Sequence, residues 1–362
     1  MDRGIWNRLK SKITRRRASG VLTAVLLGAT LAAGAAPSED TLVVTSTNGS
    51  PNNIVVFKLQ TAATPSLSLV NMLATGGQGG APGASAGAVQ FQGELGAVVN
   101  YGSNNVSQLV RTGDSISVAR TINLASNCTK PVSAALSETQ LFVAGANCAE
   151  SHAWPIGIVD GSVVALGNSS AAQIVVGETW AALTMTSGAL LQLPLSAAGA
   201  LKGASTPVTL PGDADNTPLG AAFWGNLLAF NPAHSADSFA LVNSTGAVFP
   251  VLGPEPPYPS NAPCWLAKGP GNIWYSGNSP GKAISIFFSD SEGGVFYKSV
   301  PLAGSPTDLA VSPDRHWLAV IYTAGGDGYV AVFSIDSYGD LTPVAISSPV
   351  GASSFDGVAF SQ

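Results

Sequence analysis

Few residues in this sequence have both the type and the spacing of a reactive site. Gly83-Ala84-Ser85-Ala86-Gly87 matches the Gly-x-Ser-x-Gly string of serine hydrolases, in which a strand-turn-helix elbow exposes the serine. Here the string lies in a glycine-rich run and leads into Ala88 to Phe91, which we interpret as a strand. The string therefore favours a turn over a catalytic nucleophile.

The sequence offers one arrangement that suits a metal ion. Asp213 and Asp215 form a close acidic pair, and carboxylate oxygens in a loop are ligands that Ca²⁺ accepts. No His-x-x-x-His or Cys-x-x-Cys spacing occurs in the chain. Since such an acidic pair is as a rule a polar turn, we expect no cofactor, with Ca²⁺ at Asp213 and Asp215 as the alternative.

The elements that must position any site are read from the last repeat, Pro306 to Pro349. Its apolar runs are Leu309 to Val311, Trp317 to Tyr322, Tyr329 to Ile335 and Leu341 to Ile346. Phe287 and Phe333 occupy equivalent places 46 residues apart, and so do Gly293 and Gly339. Four short strands recurring at a period in the forties predict one β-propeller blade for each repeat.

The two ends of the repeat array are incomplete in a complementary way. Thr41 to Leu73 contains three strands where the other repeats have four, and Phe355 to Ser361 is left over as a single strand. Pairing these ends would cover sheet edges that are otherwise exposed. We therefore predict an all-β, seven-bladed propeller of four-stranded antiparallel blades. Six or eight blades are the alternatives, and in each case the C-terminal strand is innermost in the first blade.

The first 35 residues have the organisation of an export signal. Met1 to Arg17 is basic, Ala18 to Ala33 is apolar, and Ala33-Gly34-Ala35 offers a small-residue cleavage site. An apolar stretch of about 16 residues is short for a membrane span. We predict a cleaved signal over residues 1–35, of twin-arginine or general secretory type, and a single propeller domain over residues 36–362. The protein would be exported, to the periplasm or the extracellular space.

The charge balance argues against nucleic acid as a partner. Seven of the 16 basic residues and one of the 21 acidic residues lie in the predicted signal, so the remainder has a net charge of about −11. Its Lys and Arg residues are scattered and form no stripe that would bind phosphates.

The three cysteines suggest one disulfide. Cys128 and Cys148 flank an apparent hairpin, Val132 to Leu136 and Leu141 to Ala144, whose register places them near each other at its open end. An exported chain meets oxidising conditions, which favour a Cys128–Cys148 disulfide. Cys264 is left over and is expected to be a buried, small apolar residue.

Several strings in the last repeat carry a family resemblance: Ala310-Val311-Ser312-Pro313-Asp314, Leu318-Ala319-Val320, Val330-Ala331-Val332-Phe333 and Gly339-Asp340-Leu341-Thr342. They resemble the lactonase-like seven-bladed propellers, the family that includes the 6-phosphogluconolactonase and carboxymuconate-cyclase type. The resemblance extends over the last two repeats and Asn53 to Leu59. It implies lactone-ring opening at the channel mouth, which needs a base for water and a stabiliser for the oxyanion.

The candidate site residues are polar or aromatic residues at the channel mouth. In a propeller, the loops between blades and those between second and third strands share one face around that mouth. If the family activity is present, His152 or His234 would be the base and Lys130 an electrostatic partner. Predicted ligand-binding residues are Trp154, Tyr258, Asp308, Asp356 and Asp327.

Two further functions stay open. The histidine that the family often places just ahead of an innermost strand is absent, since those positions hold Ala86, Val132, Leu219, Pro263 and Thr307. This absence and the small, uncharged innermost strands favour a non-catalytic propeller that binds a small ligand or a protein partner. An envelope scaffold is the third reading. In each case we expect a monomer without stable membrane insertion after signal removal.

Overall fold

The apolar runs of the sequence form β-strands, as the repeat pattern predicts. The computed structural model describes residues 41–61, 64–81, 85–124, 128–137, 139–148, 156–158, 161–166, 171–202, 205–210, 217–233, 239–251, 262–290, 293–350 and 355–362. The predicted export signal lies outside these residues. Within them, no helix has the length and apolar character needed to cross a membrane.

The first 15 strands in chain order are β1 (Thr41–Ser46), β2 (Asn53–Gln60), β3 (Ser66–Ala74), β4 (Val89–Gln92), β5 (Leu95–Asn100), β6 (Asn105–Thr112), β7 (Ser115–Asn123), β8 (Cys128–Leu136), β9 (Gln140–Cys148), β10 (Ile156–Ile158), β11 (Gly161–Leu166), β12 (Ala171–Val176), β13 (Trp180–Met185), β14 (Leu190–Pro194) and β15 (Thr206–Val208). A 3₁₀ helix, Tyr101–Ser103, lies between β5 and β6.

The remaining strands are β16 (Pro218–Trp224), β17 (Leu227–Pro232), β18 (Phe239–Val242), β19 (Val248–Val251), β20 (Pro263–Lys268), β21 (Ile273–Asn278), β22 (Ala283–Asp290), β23 (Gly293–Pro301), β24 (Ser305–Val311), β25 (Trp317–Ala324), β26 (Asp327–Ile335), β27 (Leu341–Ile346) and β28 (Asp356–Ser361).

These strands form seven four-stranded sheets, in agreement with the expected number. Blade 1 has the order β28-β1-β2-β3, and blade 2 consists of β4 to β7. Blade 3 contains β8 to β11, and blades 4 to 7 take the following strands four at a time. Apart from blade 3, every blade is an antiparallel meander that runs from its innermost strand to its outermost strand.

Blade 3 corrects the expectation of uniformly antiparallel blades. Its order is β8-β9-β11-β10, and β11 runs parallel to β9, with Val163 opposite Leu141. Neighbouring parallel strands need a crossover connection, which the chain makes here by leading β10 to the outer edge first. The longer strand, β11, thereby takes the inner position, and the three-residue β10 is left at the edge.

The C-terminal strand closes the ring, as predicted. β28 pairs antiparallel with β1, with Val43 opposite Phe360, and it is the innermost strand of blade 1. It also contacts β24 of blade 7 and β4 of blade 2. Thr45 Oγ1 donates a 2.8 Å hydrogen bond to the carbonyl of Gly357. The first and last strands of the domain therefore belong to one blade.

Inner strands are buried on both faces because each blade packs between two others. All six residues of β1 are buried. Val43 packs with Phe360 of its own blade and with Val332 of blade 7. Val44 packs with Val89 and Val98 of blade 2. Outer strands such as β7 alternate between buried and exposed residues. This difference explains why inner strands are continuous apolar runs and outer strands are mixed.

Buried amides recur at the same place in blades 2 and 6. Asn100, which is fully buried, donates a 2.8 Å hydrogen bond to Ser107 Oγ, which lies 3.2 Å from Thr121 Oγ1. At the same spacing, Asn278 donates to Ser285 Oγ at 2.7 Å, which lies 3.1 Å from Ser299 Oγ. These networks satisfy polar groups that apolar burial would otherwise leave unpaired.

The cysteine hairpin forms as expected. β8 and β9 are antiparallel neighbours, and Cys148 lies directly opposite Cys128 in their register. Cys128 is disulfide-bonded, and Cys264 is a free thiol. Burial raises the pKa of Cys264 to about 11, so this thiol is a poor nucleophile at neutral pH.

A count of reactive thiols tests the predicted pairing. Alkylation of the denatured, unreduced protein should label one cysteine, Cys264, and prior reduction should expose all three. Peptide mapping by mass spectrometry should then find Cys128 and Cys148 in one cross-linked peptide pair. Three labelled cysteines without reduction would contradict the pairing.

Candidate functional site

A repeated β-bulge shapes the start of the innermost strands. The ladder between first and second strands shifts register after Pro131, Ala171, Pro263 and Pro306, in blades 3, 4, 6 and 7. The paired residues that follow the shift are Ser133, Gln173, Trp265 and Asp308. Bulges re-aim side chains, and they are over-represented next to functional sites.

Three of these side chains bond to the next blade around the ring. Ser133 Oγ accepts from the Ile174 amide at 3.2 Å. Gln173 Oε1 accepts from the Ala221 amide at 2.6 Å, and Asp308 Oδ2 accepts from the Val358 amide at 3.4 Å. A polar side chain from one innermost strand therefore satisfies the backbone of its neighbour at the same level of the ring.

Residues Ser85 to Gly87, which we call the central segment, precede β4 and bond to five other blades. Ser85 Oγ donates to Asp356 Oδ1 of blade 1 at 2.8 Å, and the Ser85 carbonyl accepts from Trp265 Nε1 of blade 6 at 2.9 Å. The amide of Gly87 donates to Asp308 Oδ2 of blade 7 at 3.1 Å.

The other three bonds join the central segment to blades 4 and 3. The amide of Ala86 donates to the Ala172 carbonyl at 3.4 Å, and the Gly87 carbonyl accepts from the Ala134 amide at 3.0 Å and from Ser133 Oγ at 3.5 Å. Innermost strands surround the axis of a propeller. A segment bonded to five of them must therefore lie at that axis.

The glycine of the central segment is required by its surroundings. Gly87 has a φ of +70°, a conformation that side-chain-bearing residues rarely adopt. A Cβ at this position would lie 3.0 Å from Gln90 Nε2 and 3.3 Å from Ser133 Oγ. The positive φ therefore strains any larger residue here, and its side chain would have to displace the neighbouring side-chain ends by a few tenths of an ångström.

Two buried carboxyl groups hold the central segment. Burial raises the pKa of Asp308 to about 7, and the neighbouring Asp356 carboxyl also raises it. Amide donors at Leu309, Gly87 and Val358 act in the opposite direction. Burial raises the pKa of Asp356 to about 6, against the effect of the Ser85 hydroxyl. Desolvation disfavours the charged form of each carboxyl, and part of each is protonated near pH 6.

The structure brings together two of the predicted ligand-binding residues, Asp308 and Asp356, close to the axis. Lys130 is exposed, and its backbone φ is 56°. Its backbone amide donates a 2.8 Å hydrogen bond to Asn104 Oδ1. Its Nζ lies 5.9 Å from the centre of the Tyr101 ring. Asp327 is the first residue of β26 and is half-buried.

The remaining predicted site residues lie outside the described residues: His152, Trp154, Asp213, Asp215, His234 and Tyr258. In the part of the chain that is described, no three His, Cys, Asp or Glu residues are grouped so as to hold a metal ion.

Within the described part of the chain, Ser85 does not lie in the strand-turn-helix elbow of a serine hydrolase. The element that follows it is the strand β4, as expected, and Ser85 itself is buried. Its hydroxyl donates to Asp356, so the Gly-x-Ser-x-Gly string supplies the central segment of the propeller.

Sequence reasoning missed Ser133, Gln173 and Trp265 as residues of this region. A usable signal was present, because a proline stands two positions ahead of Ser133, Trp265 and Asp308 alike. Proline within a sheet is confined to strand starts, edges and bulges, so its recurrence at one place in the repeat marks the bulge.

Comparison with known proteins agrees with this architecture. No protein-family description and no curated protein sequence matches the chain significantly. Among solved structures, the chain is similar to hydrazine synthase from Kuenenia stuttgartiensis, with 13% identity, coverage of 85% of this chain and 95% of that one, and a TM-score of 0.53. It is also similar to a chain of a nidogen/laminin complex, with 8% identity, coverage of 89% and 98%, and a TM-score of 0.52. The chain is a β-propeller.

A lactonase-type protein is also among the similar solved structures. A putative 6-phosphogluconolactonase from Bacteroides uniformis shares 16% identity, with coverage of 86% of this chain and 83% of that one and a TM-score of 0.45. At these identities the comparisons show the propeller fold alone.

The carboxyl pair predicts a pH dependence of stability. A carboxyl pKa that is higher in the folded than in the unfolded state stabilises the fold at low pH, and this contribution is lost as pH rises. For Asp356 the loss runs from about pH 4 to just above its folded pKa of about 6. Asp356→Asn keeps an acceptor for Ser85 but does not titrate. Relative to wild type it should therefore gain about 1–3 kcal/mol of stability between pH 4 and pH 8.

Urea denaturation of both proteins at pH 4.5, 6 and 8 measures this difference. Stability curves that run parallel across this range would show that Asp356 has an ordinary pKa.

Proposed function

We propose that this protein is a non-catalytic propeller that binds a ligand or protein partner at the channel mouth. The observation that supports it is that the described polar groups at the mouth form hydrogen bonds with the central segment. Both carboxylates accept hydrogen bonds from the chain itself, and Trp265 Nε1 donates to the Ser85 carbonyl. A set of donors and acceptors converging from several blades is the arrangement expected of a recognition site.

Catalysis would require groups with spare capacity. A general base must reach the proton that it abstracts, and an oxyanion needs amide donors that are not already occupied. The amides of Ala86 and Gly87, which are the donors nearest to the carboxyl pair along the central segment, donate to Ala172 and Asp308. The described part of the mouth thus supports binding better than hydrolysis.

Lactone hydrolysis is the second candidate, favoured by the resemblance of the last two repeats to the lactonase-like propellers. It would rely on His152 or His234 as the base and on Lys130 as an electrostatic partner. Under either proposal the protein is an exported, monomeric, seven-bladed propeller whose export signal ends at residue 35, whose disulfide joins Cys128 and Cys148, and whose ligand contacts include Trp154, Tyr258 and Asp327.

A proton-release assay on a panel of lactones separates the two proposals. The purified, folded protein should give no turnover above the protein-free blank, with or without added divalent metal. A thermal-shift screen of small molecules and peptides should instead find a ligand that raises Tm, since binding to the folded state stabilises it. Lactone turnover that disappears in a His152→Ala, His234→Ala double variant would overturn the binding proposal.

A further inference from the structure

The contacts of the central segment are those that a bound peptide would make. Five of its six hydrogen bonds to other blades involve main-chain amide or carbonyl groups of the segment, and the sixth involves the hydroxyl of Ser85. Main-chain groups are common to all peptides, so the surrounding blades recognise the segment largely through features that a foreign chain also has.

The side chains of the segment define which peptide would fit. The first position presents a hydroxyl to Asp356. The second, Ala86, is buried in the cluster that contains Trp265 and Leu309, so a small apolar residue fits there. The third favours glycine, because the segment has a φ of +70° there, a conformation that strains residues with a side chain. The site therefore suits a Ser-small-Gly sequence.

The segment itself is placed outside the regular ladder. β4 begins at Val89, two residues beyond Gly87, and on the other side of the segment the Gly80 amide donates to the Asn48 carbonyl at 3.1 Å. The central segment thus lies between two anchor points and is held by the bonds described above. A competing peptide that makes the same bonds can replace it without dismantling a blade.

We propose that the channel mouth binds a Ser-small-Gly segment of a partner protein, and that the chain's own Ser85-Ala86-Gly87 occupies this site as an autoinhibitory pseudo-ligand. This inference rests on the proposed binding function and names the class of its ligand. A tethered segment competes at an effective concentration of millimolar or more, so the wild-type protein binds such a peptide weakly.

The test displaces the segment and supplies a peptide in its place. Gly87→Ala strains the central segment and leaves the residues that contact it unchanged. Gly93→Ala is the matched control, because Gly93 also has a positive φ, of +58°, but has nothing within 4 Å of the added Cβ. The probe is a fluorescent peptide of sequence Gly-Ala-Ser-Ala-Gly, which ends before the residues of β4, and its binding is followed by fluorescence anisotropy.

Gly87→Ala should bind the peptide at least about 100-fold more tightly than wild type or Gly93→Ala. Replacing the peptide's serine by alanine should weaken binding by about tenfold, because a charge-assisted hydrogen bond to Asp356 is lost. Adding Trp265→Phe to Gly87→Ala should weaken it by a similar factor, because the indole donor is lost. If Gly87→Ala does not fold, Ser85→Ala serves, since the peptide keeps the hydroxyl that the segment then lacks.

The inference would be overturned if a folded displacement variant and Gly93→Ala bound the peptide with equal affinity. It would also be overturned if neither the peptide's serine nor Trp265 affected the affinity. A ligand of another chemistry found in the thermal-shift screen would contradict the peptide as the ligand but not the binding function. Lactone turnover would remove the binding function itself.

Discussion

The antiparallel pairing of β28 with β1 is the constraint on which the rest of the structure depends. It places the C-terminal strand innermost in the first blade, between β24 and β4. Asp356 belongs to this strand, and Asp308 and Ser85 belong to its two neighbouring blades. The carboxyl pair and the hydroxyl therefore meet only when the ring is closed, although Ser85 and Asp356 are 271 residues apart in the chain. Since long loops add little to the entropic cost of closure, one strand pairing is sufficient to hold such distant residues together.

Ring closure also buries polar backbone groups around the axis, and these groups need hydrogen-bond partners. An unpaired buried amide or carbonyl costs about 1–3 kcal/mol. The repeated bulge provides partners, as when Gln173 accepts from the Ala221 amide of the next blade. Blade 5 has no polar side chain at Ala221, and there the backbones themselves come close: a Cβ on Gly220 would lie 2.5 Å from the Cys264 carbonyl oxygen. A polar ring of this kind favours one arrangement of blades, which apolar packing alone does more weakly.

The sequence was sufficient to predict what depends on local pattern. The repeat period located the blades, and the unpaired strand Phe355 to Ser361 predicted the closure. The hairpin register placed Cys128 opposite Cys148. It was not sufficient where two arrangements share one pattern, and the order of β10 and β11 in blade 3 is such a case, since either order presents the same apolar alternation. The central segment was hidden for another reason. Its glycine-rich sequence is that of an ordinary loop, and its role arises from bonds to residues of five other blades.

Strongly shifted pKa values often mark catalytic groups, and Asp308 and Asp356 would attract attention on that ground. Their surroundings favour a different interpretation. In each case burial is the largest cause of the raised pKa, and the carboxyl oxygens accept from Ser85, Gly87 and Val358. Both carboxyls are also buried, so a water molecule would have to enter the site before either carboxylate could take its proton. The same engagement is an advantage for recognition, because a buried acceptor discriminates strongly against any ligand that lacks the matching donor. The raised pKa values of Asp308 and Asp356 thus reflect the burial of these two carboxyls around the central segment, which is a structural role that needs no catalytic one.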